Sequence, residues 1–363
     1  MNTYIPALTG IRAIAAFMVF FHHYQFAAWP VLTELHIGVS LFFTLSGFLI
    51  YSRYATGVSM TGAWWWRYLR NRIARVYPMY FLLTCISFAY TALSTGVVDW
   101  WVFSLNITFL RGFSEEYRLT GIAPGWSLTV EECFYISAPL LFILFRRRGF
   151  KSGFWIGLAS IYAVGILLWR IGESVQIHSF FAPFRLVAVY TFFGRAFEFF
   201  IGMAAAYLLK HRTARSRSTG GVASWIGTAG IGAVALMMTQ FQAPGMYGLY
   251  HPAGMILNHF VLPLFSGALL WGLTCEKTML SAILGSPVMV LLGKSSYIFY
   301  LVHMMFFAGM FGEWLYPAHL NLLPMILALF VVMNILSIAL FFFVEDPLNR
   351  LLRGTAPSFN STH

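Results

Sequence analysis

Windows of roughly 20 apolar residues, the length a helix needs to cross a hydrocarbon core, recur along this whole chain. They fall near residues 8–28, 37–52, 77–94, 128–145, 153–171, 187–209, 223–240, 256–274, 287–311 and 322–344. Ten such windows predict one fold class, an all-α polytopic membrane protein of about ten transmembrane helices. Composition excludes the soluble alternative, because 59% of the 363 residues are hydrophobic and only 10% are charged. An eleventh stretch, Trp100 to Leu110, is short and interrupted by Asn106, which reads as interfacial or re-entrant. With no internal repeat in view, one membrane domain occupies residues 1–353 and a short polar tail occupies 354–363.

Charge sets the orientation. Sixteen of the 23 basic residues fall in segments 53–75, 146–151, 210–221, 275–286 and 345–363. By the positive-inside rule these segments face the cytoplasm, and so do both termini. The net charge of +11 then reflects topology and contact with anionic lipid, and predicts no nucleic-acid partner. Cys85, Cys133 and Cys275 are scattered and suggest neither a disulfide framework nor a metal site. The first span lacks the charged start of a cleavable signal peptide. Asn106-Ile107-Thr108 and Asn360-Ser361-Thr362 match a glycosylation pattern that arises often by chance.

The first apolar window carries two ionisable residues, Arg12 and His23. A helix turns about 100° per residue, so His23 returns to within roughly 20° of Arg12's direction, roughly 16 Å further along the axis. One helix face thus holds a cation near one surface and an imidazole near the midplane. Ionisable groups in lipid are costly and point to function, although a snorkelling arginine and a backbone-satisfied histidine are the plain alternative. His22 points about 100° away, so it and His23 cannot share one site.

Further polar constellations follow in order. Arg72 and Arg75, three apart in a Trp-rich basic loop, share a face on a helix and suit phosphate; such a loop also serves simply as a topology determinant. Ser46-Gly47 inside the second span permits close approach of a helix or a ligand. Ser127 with Glu131 resembles an N-cap with an acid in the first turn. Glu131 and Glu132 beside Trp126 also suit a sugar-binding surface. Arg195 and Glu198 form an intramembrane pair that neutralises itself or lines a polar cavity. Ser296, Tyr300 and His303 make a polar stripe on the ninth span, and Glu345-Asp346-Pro347 ends the last, where Glu345 can answer the arginines of the first loop.

Together these residues resemble the membrane acyltransferase-3 family. The resemblance rests on Arg12 and His23 separated by ten residues, Leu41 to Phe48, Arg72 and Arg75 before Pro78, and Trp126-Ser127-Leu128 with Glu131. It continues through Gly293, Ser296-Tyr297 and Tyr300-Leu301 before His303, and ends at Phe343-Val344-Glu345. It implies an integral membrane enzyme moving an acyl group, most often acetyl, from a cytoplasmic coenzyme A thioester to a hydroxyl of an extracytoplasmic or lipid-linked glycan. By position, His23 is implied as the catalytic histidine, Arg12 as its partner, and Arg72 and Arg75, with Arg12, as ligands of the coenzyme A phosphates. Glu131 is implied as a further catalytic residue; Trp126 and Glu345 match further family positions, and together with Ser46, Arg195, Glu198, Tyr297 and His303 are expected to contact substrate or support the site. The implied donor is acetyl coenzyme A as a co-substrate, with no permanently bound cofactor and no metal. The implied partners are the bilayer, a saccharide acceptor, and either a second copy of the chain or a polysaccharide-assembly machinery. The implied location is the bacterial cytoplasmic (inner) membrane.

One departure matters. The family's second-span motif carries an aspartate two residues after the glycine, and here Ser40 stands there. Another carboxylate, such as Glu198, then tunes the histidine, or the acceptor chemistry differs. No esterase-like soluble domain accompanies the membrane domain, so transfer is completed within the chain or on a partner. The rival reading is a transporter or flippase for an anionic or lipid-linked solute, which also uses midplane charge and glycine-interrupted helices. A purely structural subunit leaves Arg12, His23, Arg195, Glu198 and His303 in lipid without a reason.

Overall fold

The computed structural model describes residues 4–24, 29–212, 220–305 and 322–353. The tail 354–363, with the pattern at Asn360, and parts of the first and ninth predicted spans lie outside them. Ten long helices account for the ten windows: α1 (Pro6–His23), α2 (Gly38–Tyr54), α3 (Gly62–Thr95), α4 (Trp126–Arg148), α5 (Phe150–Val175), α6 (Phe192–Lys210), α7 (Val222–Thr239), α8 (Leu262–Cys275), α9 (Pro287–Val302) and α10 (Leu322–Leu340). No strand occurs among the described residues. Counting the short helices that continue several of them, eight among the described residues are long and apolar enough to cross a membrane, and α1 and the shorter apolar α9 stand beside them.

Two boundaries differ instructively from the sequence reading. Helix α3 begins at Gly62, so the Trp-rich basic segment is helix rather than loop and runs through Pro78 without a break. Its charges lower the hydropathy of a window without lowering helix propensity, which is why hydropathy placed the start too late. At the other end, α1 stops at His23, with Tyr24 as its C-cap, instead of continuing to residue 28. The Trp100 stretch forms a helix of 8 residues, Trp100–Ile107, capped by Asp99, in keeping with an interfacial segment.

Lipid is as apolar as leucine, so helices associate by close packing at small residues. Three crossings position the polar groups. A Cβ at Gly47 of α2 would strike the Phe199 backbone, and one at Gly202 of α6 would strike the Thr44 carbonyl. Gly293 of α9 fits against Thr9 of α1, and Gly10 of α1 against Leu284. Gly38 lies against Ala15 and Val19, closing α2 onto α1. Between these helices lies the apolar core, with Phe20, Phe48, Phe134, Phe142, Phe199, Phe200 and Phe299 fully buried.

Buried tyrosines tie backbones together: Tyr68 donates to the Tyr135 carbonyl at 2.8 Å, Tyr80 to Asn106 at 3.0 Å and Tyr297 to Val76 at 2.7 Å. The connection before α4 is pinned by fully buried Arg111, which donates to the Thr120 and Ile122 carbonyls. Burial away from solvent pushes that guanidinium below its ordinary pKa. Two π-helical turns, Leu257–Val261 before α8 and Phe341–Glu345 after α10, interrupt otherwise α-helical runs.

Candidate active site

Helix α1 organises two polar centres, one around Arg12 and one at its C-terminal end. Arg12 is half-buried and makes no hydrogen bond or ion pair among the described residues. It interacts electrostatically with Glu131 of α4, Glu345 and Arg75. Arg75 donates to Glu345 at 2.9 Å, the answer expected of that acid. Arg72, one turn earlier on α3, forms no ion pair among the described residues: its Nη2 donates to the Tyr54 hydroxyl at 3.2 Å, and Glu132 acts on it only electrostatically. Its guanidinium lies 5.4 Å from the Tyr54 ring centroid and 5.5 Å from that of Tyr135. Aromatic faces attract a cation without neutralising it, which leaves the charge available to an anion. The two arginines share one helix and diverge in their partners.

Glu131 does not cap its helix. Gly125 occupies the N-cap position of α4, Ser127 donates to Pro124 and meets the Tyr300 hydroxyl at 2.8 Å, and the first turn holds no acid. Glu131 instead accepts from Ser46 at 2.5 Å and from Tyr135. Ser46 is therefore a ligand of the carboxylate, while its neighbour Gly47 makes the helix crossing. Trp126 parts company with Glu131: its ring meets Tyr190 edge-on at 4.9 Å. Tyr190 shares a 2.5 Å hydrogen bond with Tyr250, and Arg118 lies 4.1 Å over its ring.

At the end of α1, two adjacent histidines have opposite surroundings. His22 is buried and donates from Nδ1 to the Thr33 carbonyl at 2.6 Å, beside the rings of His36 and Tyr247. His23 is exposed and makes no hydrogen bond among the described residues. Its ring lies 5.3 Å from that of His303, the fully buried C-cap residue of α9. His303 donates from Nδ1 to the Tyr300 carbonyl at 2.7 Å, while Tyr24 donates to the His303 carbonyl at 2.6 Å.

The expectation that Glu198 tunes the histidine is corrected. Glu198 is held by Arg195, at 2.9 Å to Nε and 2.8 Å to Nη2. Arg195 also donates to Ser40 at 3.0 Å, and Ser40 donates to Asn258 at 3.3 Å. Asn258 in turn meets His259 at 2.9 Å, within the first π-turn. The mutual neutralisation read from the sequence holds, since a buried cation needs its acid close by. Ser40 thus belongs to an Arg195-centred network, and the acid in that network is engaged there.

The sequence reading missed Tyr54, Tyr135, Asn258 and the Glu34–His36 pair, whose atoms approach to 3.1 Å. Tyr135 had a signal, because it stands four residues after Glu131 and so on the same face. Tyr54 and Asn258 had none, being single polar residues in apolar helical stretches. Among the described residues no group of three or more His, Cys, Asp or Glu is placed to hold a metal ion.

Comparison with known proteins gives the family. Residues 5–342 match a family model described as an acyltransferase domain. The chain is 25% identical over 330 residues to a provisionally named O-acetyltransferase of Staphylococcus aureus strain COL, covering 83% of this chain and 50% of that protein. It is 23% identical over 327 residues to the O-acetyltransferase OatA of S. aureus strain NCTC 8325, with the same coverage of 83% and 50%. The chain therefore spans about half the length of the curated relatives it matches. No solved structure matches it.

Proposed function

Because the chain belongs to the membrane acyltransferase-3 family, we propose that it moves an acyl group, acetyl foremost, from coenzyme A to a hydroxyl of a cell-surface or lipid-linked glycan. The observation that carries this reading is the pairing on α1 of a cation, Arg12, with an imidazole, His23, eleven residues further on, neither hydrogen-bonded among the described residues. On this reading the donor's phosphates occupy Arg12 and Arg72, which form no ion pair among the described residues, while Arg75 exchanges part of its contact with Glu345 for phosphate. Guanidinium groups suit that task because their planar forks match phosphate oxygens. The pantetheine arm then runs along α1 and delivers the thioester to His23.

At that point the free imidazole takes the proton of the acceptor hydroxyl as its oxygen attacks the acyl carbon, or takes the acyl group itself before passing it on. Glu131, fixed by Ser46 and Tyr135, holds a negative charge near Arg12 and keeps the guanidinium in place between donors. The aromatic group of Trp126, Tyr190 and Tyr250 offers faces suited to a sugar ring. The bilayer is the chain's standing partner, and the cytoplasmic membrane of a bacterium is the proposed location.

The experiment is transfer of labelled acetyl from acetyl coenzyme A to cell-envelope glycans by the purified chain in proteoliposomes. Label in the glycan that is lost with His23→Ala supports the reading. Solute uptake without label transfer overturns it in favour of a carrier.

A further inference from the structure

His303 carries an unexplained atom. Its side chain is fully buried and its Nε2 has no hydrogen-bond partner among the described residues. Native proteins rarely leave such an atom unpaired, and each case asks for a reason. The protonation pattern of the ring is fixed by geometry, since Nδ1 meets the Tyr300 carbonyl at 2.7 Å and a carbonyl can only accept. Nδ1 therefore carries the hydrogen and Nε2 carries a bare lone pair. The ring itself cannot wander: Tyr24, one residue past the end of α1, donates to the His303 carbonyl and fastens α9 to α1 at this height.

The neighbouring imidazole, His23, is unbonded and free to turn. At 5.3 Å between centroids, two imidazoles whose nitrogens face each other lie at about hydrogen-bond distance. Among the described residues the groups that act on His23 are His303, His22 and His36, and those that act on His303 are backbone groups of Tyr300 and Phe299, with no carboxylate among them. A histidine that takes a proton at one nitrogen acts best when its other N–H has an acceptor that fixes the tautomer. In most sites of that kind the acceptor is an acid; here the rings beside His23 among the described residues are imidazoles, and of these His303 has a buried nitrogen without a partner.

We infer that His303 is the positioning base behind His23, accepting the His23 N–H through its buried Nε2 so that the opposite nitrogen of His23 faces the substrate. This rests on the proposed acyl transfer for its purpose but not for its geometry. In the reaction, the bare nitrogen of His23 takes the proton of the acceptor hydroxyl as the hydroxyl oxygen bonds to the acyl carbon. The carbon–sulfur bond breaks with its electron pair going to sulfur, and the proton on the far nitrogen of His23 passes to His303 Nε2. The charge then sits on His303 as an imidazolium and His23 is neutral again. Return of that proton through His23 to the thiolate completes the balance and regenerates both rings. A neutral relay suits a site in lipid, because it places no standing negative charge there.

The full chain, labelled with ¹⁵N at histidine and held in nanodiscs, provides the test without any substrate. The His23 signals are identified by their loss in His23→Gln. Expected in the wild type is a single His23 tautomer with one protonated and one bare nitrogen, and in His303→Phe a mixture of the two. Unchanged His23 signals in a folded His303→Phe variant overturn the inference. A second arm uses acetyl coenzyme A and a cell-envelope glycan extract. There His303→Ala lowers turnover about a hundredfold, the scale of a lost proton-transfer partner, leaves the donor KM unchanged, and is restored in part by free imidazole. A raised donor KM, or turnover that imidazole does not restore, counts against the relay. If the wild type transfers no acyl group at all, the proposed function fails, while the ring signals still decide the relationship of His23 to His303.

Discussion

His22 and His23 have ring centroids 4.6 Å apart on the last turn of α1, and only His22 is tied down, by the Thr33 carbonyl. On the proposed function the two neighbours divide support from chemistry. His23→Ala is expected to lower acyl transfer by at least about a hundredfold, as loss of a general base does, with little change in thermal stability. His22→Ala leaves a buried carbonyl without its donor and is expected to cost about 1–3 kcal/mol of stability. Transfer assays and thermal unfolding of both variants in detergent check the division; equal loss of transfer at matched stability contradicts it.

Arg72 is sandwiched between Tyr54 and Tyr135, which a compact ammonium group cannot reproduce. Arg72→Lys is therefore expected to raise the KM for acetyl coenzyme A nearly as much as Arg72→Ala. Roughly ten- to a hundredfold corresponds to one charged hydrogen bond. Arg12→Ala is expected to do the same. Unchanged donor KM in both sets would leave these arginines with a role in topology alone.

Where α2 crosses α6, Gly202 admits no side chain, because a Cβ there would collide with the Thr44 carbonyl, whereas Gly232 of α7 faces open space. Gly202→Ala is expected to destabilise by about 1–3 kcal/mol or more through overpacking. Gly232→Ala is expected to stabilise its helix by up to about 1 kcal/mol. Thermal unfolding of the two variants side by side measures the sign of each.

Glu276 lies just past α8 and accepts hydrogen bonds from the Ala223 and Ser224 amides at 2.9 Å each and from the Ser224 hydroxyl at 2.6 Å, capping α7. Burial alone would raise its pKa, but these bonds outweigh it and hold the carboxyl below its ordinary 4.5. A depressed folded-state pKa stabilises the fold above the unfolded value and loses that contribution as pH falls through the folded one. Thermal stability is expected to drop on acidification below about pH 4.5. Glu276→Gln is expected to be less stable at neutral pH, by about 1 kcal/mol for a weakened cap, and to show a shallower acid-side loss.

The ten helices were legible because lipid leaves a coarse signature: long apolar windows and a lopsided charge distribution. The same coarseness hid the start of α3, where Trp64 to Arg75 is helical and charged at once. Arg12, His23 and the Arg75–Glu345 and Arg195–Glu198 pairs were legible because a charge in an apolar stretch is conspicuous. Tyr54, Tyr135 and Asn258 were not, since nothing in a linear chain tells a tyrosine packed in a core from one that cradles a cation. The site's division of labour was also beyond sequence, for Arg72 and Arg75 differ only in what three other helical segments bring to them.

The π-turn at Phe341–Glu345 has a consequence for how this chain tolerates change in length. A π-turn holds one residue more than the α-turn it replaces, so it acts as a phase shifter set into the last helix. Straightening residues 341–345 into regular α-helix with their number unchanged would swing everything beyond them by about 100°. Glu345 would leave Arg75, yet hydropathy and helix content would hardly register the loss. The contact between the two ends of the domain thus depends on a count of residues as much as on their identity. Straightening the turn at full length should be as damaging as removing the carboxylate itself, whereas deleting its one extra residue should spare the contact.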